Sequence, residues 1–165
     1  MAKGKLYIYS GEGHGKSAVA IGRAVQAATE GKRVAIIQFL KGKGLGESAF
    51  LKRMEPEIKL FRFEKSNENF EQLPEEKKQD EIVNIKNGIN FAKKVLATGE
   101  CDLLVLDEVL GLVERGIVEV PELQAILESR ENTSVILTGV QLPDPICIMA
   151  DEVFRLETVK FKVWE

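Results

Sequence analysis

Residues 10–17 read Ser-Gly-Glu-Gly-His-Gly-Lys-Ser, a glycine-rich run that ends in Lys-Ser. It follows an alternating apolar run, Leu6-Tyr7-Ile8-Tyr9, and precedes a helical pattern over residues 18–25, Ala-Val-Ala-Ile-Gly-Arg-Ala-Val. A strand, a glycine-rich turn and a helix in this order are typical of a phosphate-binding loop. The pattern G-x-x-x-x-G-K-[ST] fails only at its first position, where Ser10 stands. We therefore predict a nucleoside triphosphate site; the alternative is a glycine-rich turn without a ligand.

Each part of the stretch has a physical task at such a site. Glycines permit backbone conformations with positive φ, so that successive amide groups can point at one anion. A helix beginning near Lys16 adds its positive dipole end, while Lys16 supplies a point charge for the terminal phosphates and Ser17 a hydroxyl for Mg²⁺. We predict Lys16 and Ser17 as catalytic. The predicted nucleotide-binding residues of this stretch are Gly11, Glu12, Gly13, His14, Gly15, Lys16 and Ser17.

A second acidic signal lies further along the chain. The apolar residues Leu103-Leu104-Val105-Leu106 are followed by Asp107-Glu108. After a phosphate-binding loop, a carboxylate at a strand end is a candidate to hold Mg²⁺, directly or through water. The predicted metal residues are therefore Ser17, Asp107 and Glu108, and the sequence does not decide which acid lies nearer the ion. The alternative is that Asp107 only caps the next helix.

The composition indicates one ordinary globular domain over residues 1–165. Hydrophobic residues make up 44% and charged residues 30% of the chain, and the net charge is −3, which does not indicate a nucleic-acid binder. No apolar run reaches membrane-spanning length. Cys101 and Cys147 show no pairing pattern, which favours a reducing, cytoplasmic setting. Residues 1–5 lead straight into the first strand, so we expect no secretory leader.

Strand and helix patterns alternate along the whole chain. We expect Leu6–Tyr9 at the centre of the sheet, and further strands at 34–40, 58–63, 102–107, 134–139 and 152–156, with a last extended segment at 159–164. Helices are expected at 16–29, 47–54, 75–98, 109–113, 119–128 and 146–150. A basic glycine-rich loop, 41–46, follows the second strand. This alternation predicts a three-layer α/β fold of the P-loop NTPase (RecA-like) type, with a mainly parallel central sheet.

The loop also resembles that of a particular family. Residues 9–17, Tyr-Ser-Gly-Glu-Gly-His-Gly-Lys-Ser, are similar to the unusual loop of the P-loop type ATP:corrinoid adenosyltransferases, in which a small hydroxyl residue replaces the first glycine. Residues 38–42, Gln-Phe-Leu-Lys-Gly, resemble the end of that family's second strand. Leu106-Asp107-Glu108 lie at the position of the acidic strand end in that family. The family's C-terminal signature is resembled by Thr138-Gly139, Pro143, Ile146, Met149-Ala150-Asp151 and Val159-Lys160.

This resemblance implies transfer of the 5′-deoxyadenosyl group of MgATP to the cobalt of a reduced corrinoid, cobalamin or a precursor, with release of triphosphate. It implies a homodimer and an electron-donating flavoprotein as partners, with no nucleic acid and no membrane. Lys41 becomes an extra phosphate or nucleotide contact. His14 stands where the family often has lysine, so it is either a phosphate contact or a solvent-facing loop residue.

The sequence departs from the family pattern on the corrinoid side. Val140 stands where arginine is usual, and Phe161 where histidine is common. The Phe-x-Trp pair of some members is absent: Phe70 and Leu73 occupy that region, and the only tryptophan is Trp164. The alternative hypothesis is therefore an ATP-binding protein or ATPase of the same fold that has lost corrinoid transfer. The segments that separate the two hypotheses are 64–70 and 140–145.

Overall fold

The computed structural model describes residues 3–41 and 52–160, and within them six strands form one parallel sheet. The strands are β1 Leu6–Ser10, β2 Val34–Gln38, β3 Ile58–Arg62, β4 Leu103–Asp107, β5 Ser134–Gly139 and β6 Glu152–Arg155. Their order across the sheet is β3-β2-β4-β5-β1-β6, and every pairing is parallel. The predicted α/β class with a parallel sheet is confirmed.

The first strand is not at the centre of the sheet. It lies between β5 and the edge strand β6, while β4 and β5 occupy the middle. The prediction of a central β1 was wrong because a strand's own residues report its burial but not its neighbours, which the crossover connections decide. Tyr7 of β1 is accordingly only partly buried, whereas every residue of β2 and β4 is buried.

One face of the sheet is covered by α1, Lys16–Thr29. Its buried residues are Ala20, Ala24 and Ala27, which recur at helical spacing and face the sheet. These small side chains pack in a cluster with Ile36, Val105 and Ile136 from three different strands. Their size allows the helix backbone to lie close to the strands, which fixes the position of the loop at its amino end.

The other face carries the larger core and four helices. These are α2 Glu75–Thr98, α3 Val109–Glu114, α4 Val120–Glu128 and α5 Asp144–Met149. The apolar side of α2, including Ile85, Ile89 and Leu96, packs on this face together with β-strand residues such as Leu104. Helices on both faces of the sheet complete the three layers that the sequence predicts.

Three predicted segments fall wholly or mostly outside the described residues: the glycine-rich loop after Lys41, the helix at 47–54 and the extended segment at 159–164. In the part of the chain that the structure describes, no helix has the length and apolarity needed to span a bilayer.

Candidate functional site

The carboxyl ends of four strands meet at one edge of the sheet, and the phosphate-binding loop lies there. Ser10 of β1 pairs in register with Gly139 of β5, and Gln38 of β2 pairs with Asp107 of β4. In parallel α/β sheets this edge is where ligands bind. The sequence-predicted residues from 11–17 and 107–108 are therefore brought together, although 90 residues or more separate the two groups along the chain.

A cleft of about 310 Å³ opens over this loop. Its lining residues are Glu12, Gly13, His14, Gly15, Lys16, Ser17, Ala18, Lys41, Glu108 and Val140. Gly15 precedes α1 with φ +98°, and a side chain there would meet no atom within 4 Å, so its backbone faces open space. The first-turn amide groups of α1 have no partners within the helix. Anion binding at a helix start follows from these groups and the helix dipole.

Lys16 is folded back onto its own loop. Its ammonium group donates a hydrogen bond to the carbonyl oxygen of Gly13 at 2.9 Å. The Lys16 side chain is half-buried at the wall of the cleft. A phosphate in the cleft would offer this cation a charged acceptor in place of a neutral carbonyl, and hydrogen bonds between ionised groups are the stronger ones.

Two of the three loop glycines serve a purpose that the sequence did not reveal. Residues 155–158, which we call the strap, run along the outer side of the loop. The Gly13 amide donates to the Leu156 carbonyl at 2.9 Å, and the His14 amide donates to Thr158 Oγ1 at 3.1 Å. A Cβ at Gly13 would lie 2.6 Å from the Leu156 carbonyl carbon. The amides of Gly13 and His14 therefore donate to the strap, and Gly13 is required by close packing.

Gly11 is in a similar position. Its φ is +110°, and a Cβ there would lie 2.6 Å from the Leu156 carbonyl oxygen. Its amide donates to the Val140 carbonyl at 3.1 Å. Of the three glycines, only Gly15 faces the open cleft without such a neighbour. Because the amides of Gly11 and Gly13 already donate to protein carbonyls, the expectation that successive glycine amides point at one anion does not hold for these two in this structure.

Asp107 is the centre of a buried hydrogen-bond network. The Ser17 hydroxyl donates to its Oδ1 at 2.8 Å, and the Thr138 hydroxyl donates to the same oxygen at 2.7 Å. The Gln38 amide nitrogen donates to Oδ2 at 3.3 Å, and Asp107 itself is 1% exposed. The carboxylate thus joins α1, β2, β4 and β5 at one point. It does not cap the following helix, which has no side-chain cap.

Glu108 occupies a different place from Asp107. It has φ +66°, and its amide donates to Thr138 Oγ1 at 2.7 Å. This left-handed turn, uncommon outside glycine, carries its side chain into the cleft wall rather than into the network. The structure therefore separates the two acids that the sequence left equivalent: Asp107 contacts Ser17, and Glu108 lines the cleft.

The oxygen donors at this point fit a magnesium ion. Mg²⁺ prefers oxygen ligands and keeps several waters, so it needs only one or two protein groups beside the phosphates of a nucleotide. Ser17 Oγ and Asp107 Oδ1 lie in contact beside the loop. Across the described residues, no cluster of three or more His, Cys, Asp or Glu side chains could hold an ion without a nucleotide.

A second cleft, of about 300 Å³, lies at the same edge of the sheet. Its lining residues are Leu40, Asn69, Phe70, Glu71, Gln72 and Arg115. Arg115, at the end of α3, is ion-paired with Glu71 and also donates to the Gly111 carbonyl. Leu40 borders this second cleft while the next residue, Lys41, borders the first.

Cys101 does not act as a nucleophile at this site. It is buried near the amino end of β4, away from the loop, and burial raises the pKa of its thiol to about 11. It stays protonated at neutral pH.

Sequence reasoning missed Gln38, Thr138 and the strap as parts of the site. Gln38 and Thr138 stood in the family-like segments, and that was the only signal that could have singled them out. Nothing in the pattern of 155–158 indicates that it holds a loop more than a hundred residues away.

The chain as a whole is similar to known proteins. A sequence model of the family described as "ATP:corrinoid adenosyltransferase BtuR/CobO/CobP" matches residues 2–165. The chain is 29% identical over 160 residues to a corrinoid adenosyltransferase of Pseudomonas aeruginosa, covering 96% of this chain and 77% of that protein. It is 28% identical over 162 residues to the corrinoid adenosyltransferase of Escherichia coli K12, covering 96% and 79%.

Among solved structures, a KaiC-like protein of Pyrococcus horikoshii, PH0186, superimposes with a TM-score of 0.53 over 96% of this chain and 75% of its own, at 18% identity. At that identity the likeness concerns the fold alone.

Proposed function

The chain belongs to the ATP:corrinoid adenosyltransferase family, so its reaction is ATP-dependent adenosyl transfer to a corrinoid, and we propose that the cleft over residues 11–17 binds the ATP. The alternative, a protein of this fold without corrinoid transfer, is not favoured by the relatives. The observation that carries the proposal is that Lys16, the open start of α1 and Ser17 line one cleft, with the buried Asp107 carboxylate directly behind Ser17.

In this proposal the triphosphate lies over the start of α1. The first-turn amides and the helix dipole bind its oxygens, and Lys16 exchanges the Gly13 carbonyl for a phosphate oxygen. Lys41, across the cleft, gives a second cation. Glu12 and His14 border the same space and are exposed, so they contact the nucleotide only at its rim.

Ser17 and Asp107 are the residues that would hold Mg²⁺ with the nucleotide. Bound there, the ion would neutralise charge on the triphosphate. Thr138 and Gln38 hold the Asp107 carboxylate in place, so residues from four separate elements orient the group that would hold the ion. Glu108 is left to orient water or ligand groups at the cleft wall.

The reaction makes few demands on the protein's own acid–base groups. Reduced cobalt is a strong nucleophile; it attacks C5′ of the ribose, the C5′–oxygen bond breaks, and the triphosphate leaves with the bonding electron pair. The protein must hold C5′ in line with cobalt and stabilise the departing negative charge. Lys16 and the start of α1 serve the second requirement.

The second cleft is where we place the corrinoid. It adjoins the nucleotide cleft at the Leu40–Lys41 turn, and Phe70 gives it an apolar wall. Phe70 belongs to the segment 64–70 that the sequence assigns to the corrinoid side. Val140, another departure from the family pattern, lines the nucleotide cleft, and its carbonyl accepts a hydrogen bond from the Gly11 amide.

Replacement of Lys16 tests the nucleotide assignment. Lys16→Ala is expected to lower ATP affinity and adenosyl transfer at least 100-fold, as judged by calorimetry and by the visible spectrum of the light-sensitive cobalt–carbon product formed from MgATP and chemically reduced cobalamin. Lys86→Ala, an exposed lysine of α2, is the matched control. Unchanged ATP binding in Lys16→Ala would refute the loop assignment. Release of inorganic phosphate from ATP without a spectral change would favour the ATPase alternative.

We further propose a cytoplasmic homodimer that receives electrons from a flavoprotein. Exposed apolar residues on and near β6, Ile148, Val153, Phe154 and Val159, support self-association. Both cysteines are free thiols, which suits a reducing compartment. Light scattering gives the mass in solution, and reduction of cobalamin by a purified flavodoxin tests the electron donor.

A further inference from the structure

Leu40 adopts a backbone conformation that leucine rarely adopts. Its φ is +58°, in the left-handed region. It follows Phe39, which is buried and whose amide donates to the Asp107 carbonyl at 3.0 Å, and it precedes Lys41 of the nucleotide cleft. The strained residue is therefore the link between the end of β2 and a cleft cation. Such outliers persist only where the surroundings hold them, and they cluster at functional sites.

A buried carboxylate holds this turn. The Leu40 amide donates to Glu64 Oε1 at 2.6 Å. Glu64 lies two residues beyond the end of β3, and burial raises the pKa of its carboxyl while the Leu40 hydrogen bond opposes that rise. The charged groups that act on it are Glu81 of α2, Arg62 of β3 and Arg115 at the end of α3.

A left-handed residue held by a side-chain oxygen is also found after the neighbouring strand, β4. Glu108, after β4, has φ +66°, and its amide donates to Thr138 Oγ1 from the next strand, β5. Leu40, after β2, has its amide bound by Glu64 from the other side, β3. In both cases a side-chain oxygen of an adjacent strand end fixes a left-handed turn, and a cleft-lining residue results: Glu108 itself and Lys41.

We propose that Glu64 is a positioning residue that sets Lys41 in the nucleotide cleft through the Leu40 turn. The Leu40 side chain packs closely against α3: its Cδ1 lies 2.9 Å from the position that a Cβ at Gly111 would occupy. Glu64 touches no part of the predicted ATP site itself. The inference rests on the proposed nucleotide site, since Lys41 has a function there only if ATP binds in that cleft.

Steady-state kinetics on four variants test this. Glu64→Met removes the acceptor at similar volume and is expected to raise KM for ATP about tenfold, the loss of one hydrogen bond to a charged group, with kcat changed less than twofold. Glu64→Gln keeps an acceptor oxygen and is expected to restore KM to within about threefold of the parent value. Lys41→Ala raises KM about as much as Glu64→Met. The double variant Glu64→Met/Lys41→Ala is no worse than Lys41→Ala alone.

The results separate this proposal from the nucleotide assignment. Equal KM in Glu64→Met and the parent, or full additivity in the double variant, overturns the positioning role. Glu64→Gln as impaired as Glu64→Met also overturns it, because charge or packing would then matter and the acceptor would not. If Glu64→Met does not fold, Glu64→Ala replaces it in the same cycle. Failure of the nucleotide assignment would show separately, as unchanged ATP binding in Lys16→Ala.

Discussion

Replacing Gly13 with alanine tests whether the strap shapes the phosphate-binding loop. A Cβ at this position would lie 2.6 Å from both the carbonyl carbon and oxygen of Leu156 and 2.7 Å from the amide nitrogen of Glu157. All three atoms are backbone, so no side-chain rotation can relieve the overlap. The strap must move away from the loop, and the conformation of residues 11–15 must change with it.

The expected cost follows from the contacts that this movement breaks. The Gly13 amide loses the Leu156 carbonyl, and the His14 amide loses Thr158 Oγ1. At about 1 kcal/mol for each hydrogen bond, the free energy of unfolding falls by about 2 kcal/mol. For a domain of this size that corresponds to a midpoint about 4–8 °C lower. ATP affinity falls as well, because the loop that binds the triphosphate is no longer held from outside.

Thermal unfolding followed by circular dichroism, with ATP titrations by calorimetry, measures both effects. Thr158→Val removes one of the two hydrogen bonds at constant volume, and Thr158→Ser keeps it. Since Gly13→Ala already displaces the strap, Thr158→Val should cost little more in that background. A Gly13→Ala midpoint within about 1 °C of the parent protein, or strictly additive losses, would show that the strap does not constrain the loop.

Three further predictions concern single positions. Asp107→Asn keeps an oxygen for the Ser17 and Thr138 hydroxyls but turns its Nδ2 toward the Gln38 amide nitrogen, so the free energy of unfolding should fall by about 1–3 kcal/mol. Calorimetry should show MgATP binding at least tenfold weaker and a smaller loss for ATP in EDTA; equal losses in both buffers would contradict a metal role. Gly22→Ala, in the interior of α1 with no atom within 4 Å of the new Cβ, should raise the free energy of unfolding by about 0.5–1 kcal/mol in urea titrations; destabilisation would mean that the space is filled. Burial raises the pKa of the Glu64 carboxyl above the ordinary 4.5, so the native state favours the protonated form. The parent protein therefore loses this contribution to its free energy of unfolding as pH rises through the raised pKa, and Glu64→Gln does not. Glu64→Gln should gain stability relative to the parent between pH 4 and pH 7, and parallel pH profiles of the two proteins would rule this out.

Local chemistry was enough to predict the helices with clear ends. The bounds of α2, Glu75–Thr98, match the prediction because Glu75 and Glu76 favour a helix start and Gly99, with φ +64°, ends the helix in a left-handed turn. Strand β5, Ser134–Gly139, was likewise found where its apolar run predicted it. These signals lie within a few residues of the feature that they determine.

Features set by distant contacts could not be predicted in this way. The apolar run 34–40 predicted a strand through Leu40, yet β2 ends at Gln38, because Glu64 binds the Leu40 amide and turns the chain. The sequence predicts Gly11 and Gly13 as anion-binding positions, yet a side chain at either would overlap the backbone of Leu156. In each case the deciding atom lies more than 20 residues away, where no periodicity reports it.

If ATP occupies the first cleft and the corrinoid approaches from the second, as we propose, the Leu40–Lys41 turn would help to direct attack to carbon instead of phosphorus. The terminal phosphate would then lie over residues 11–17, and C5′ would face the second cleft. Leu40 borders that second cleft and Lys41 the first, so one turn separates the two approaches. If Glu64 no longer holds this turn, Lys41 withdraws from the proposed triphosphate site and KM for ATP rises. Because kcat is expected to change less than about twofold, alignment of C5′ with cobalt would not depend on Glu64, which lines neither cleft.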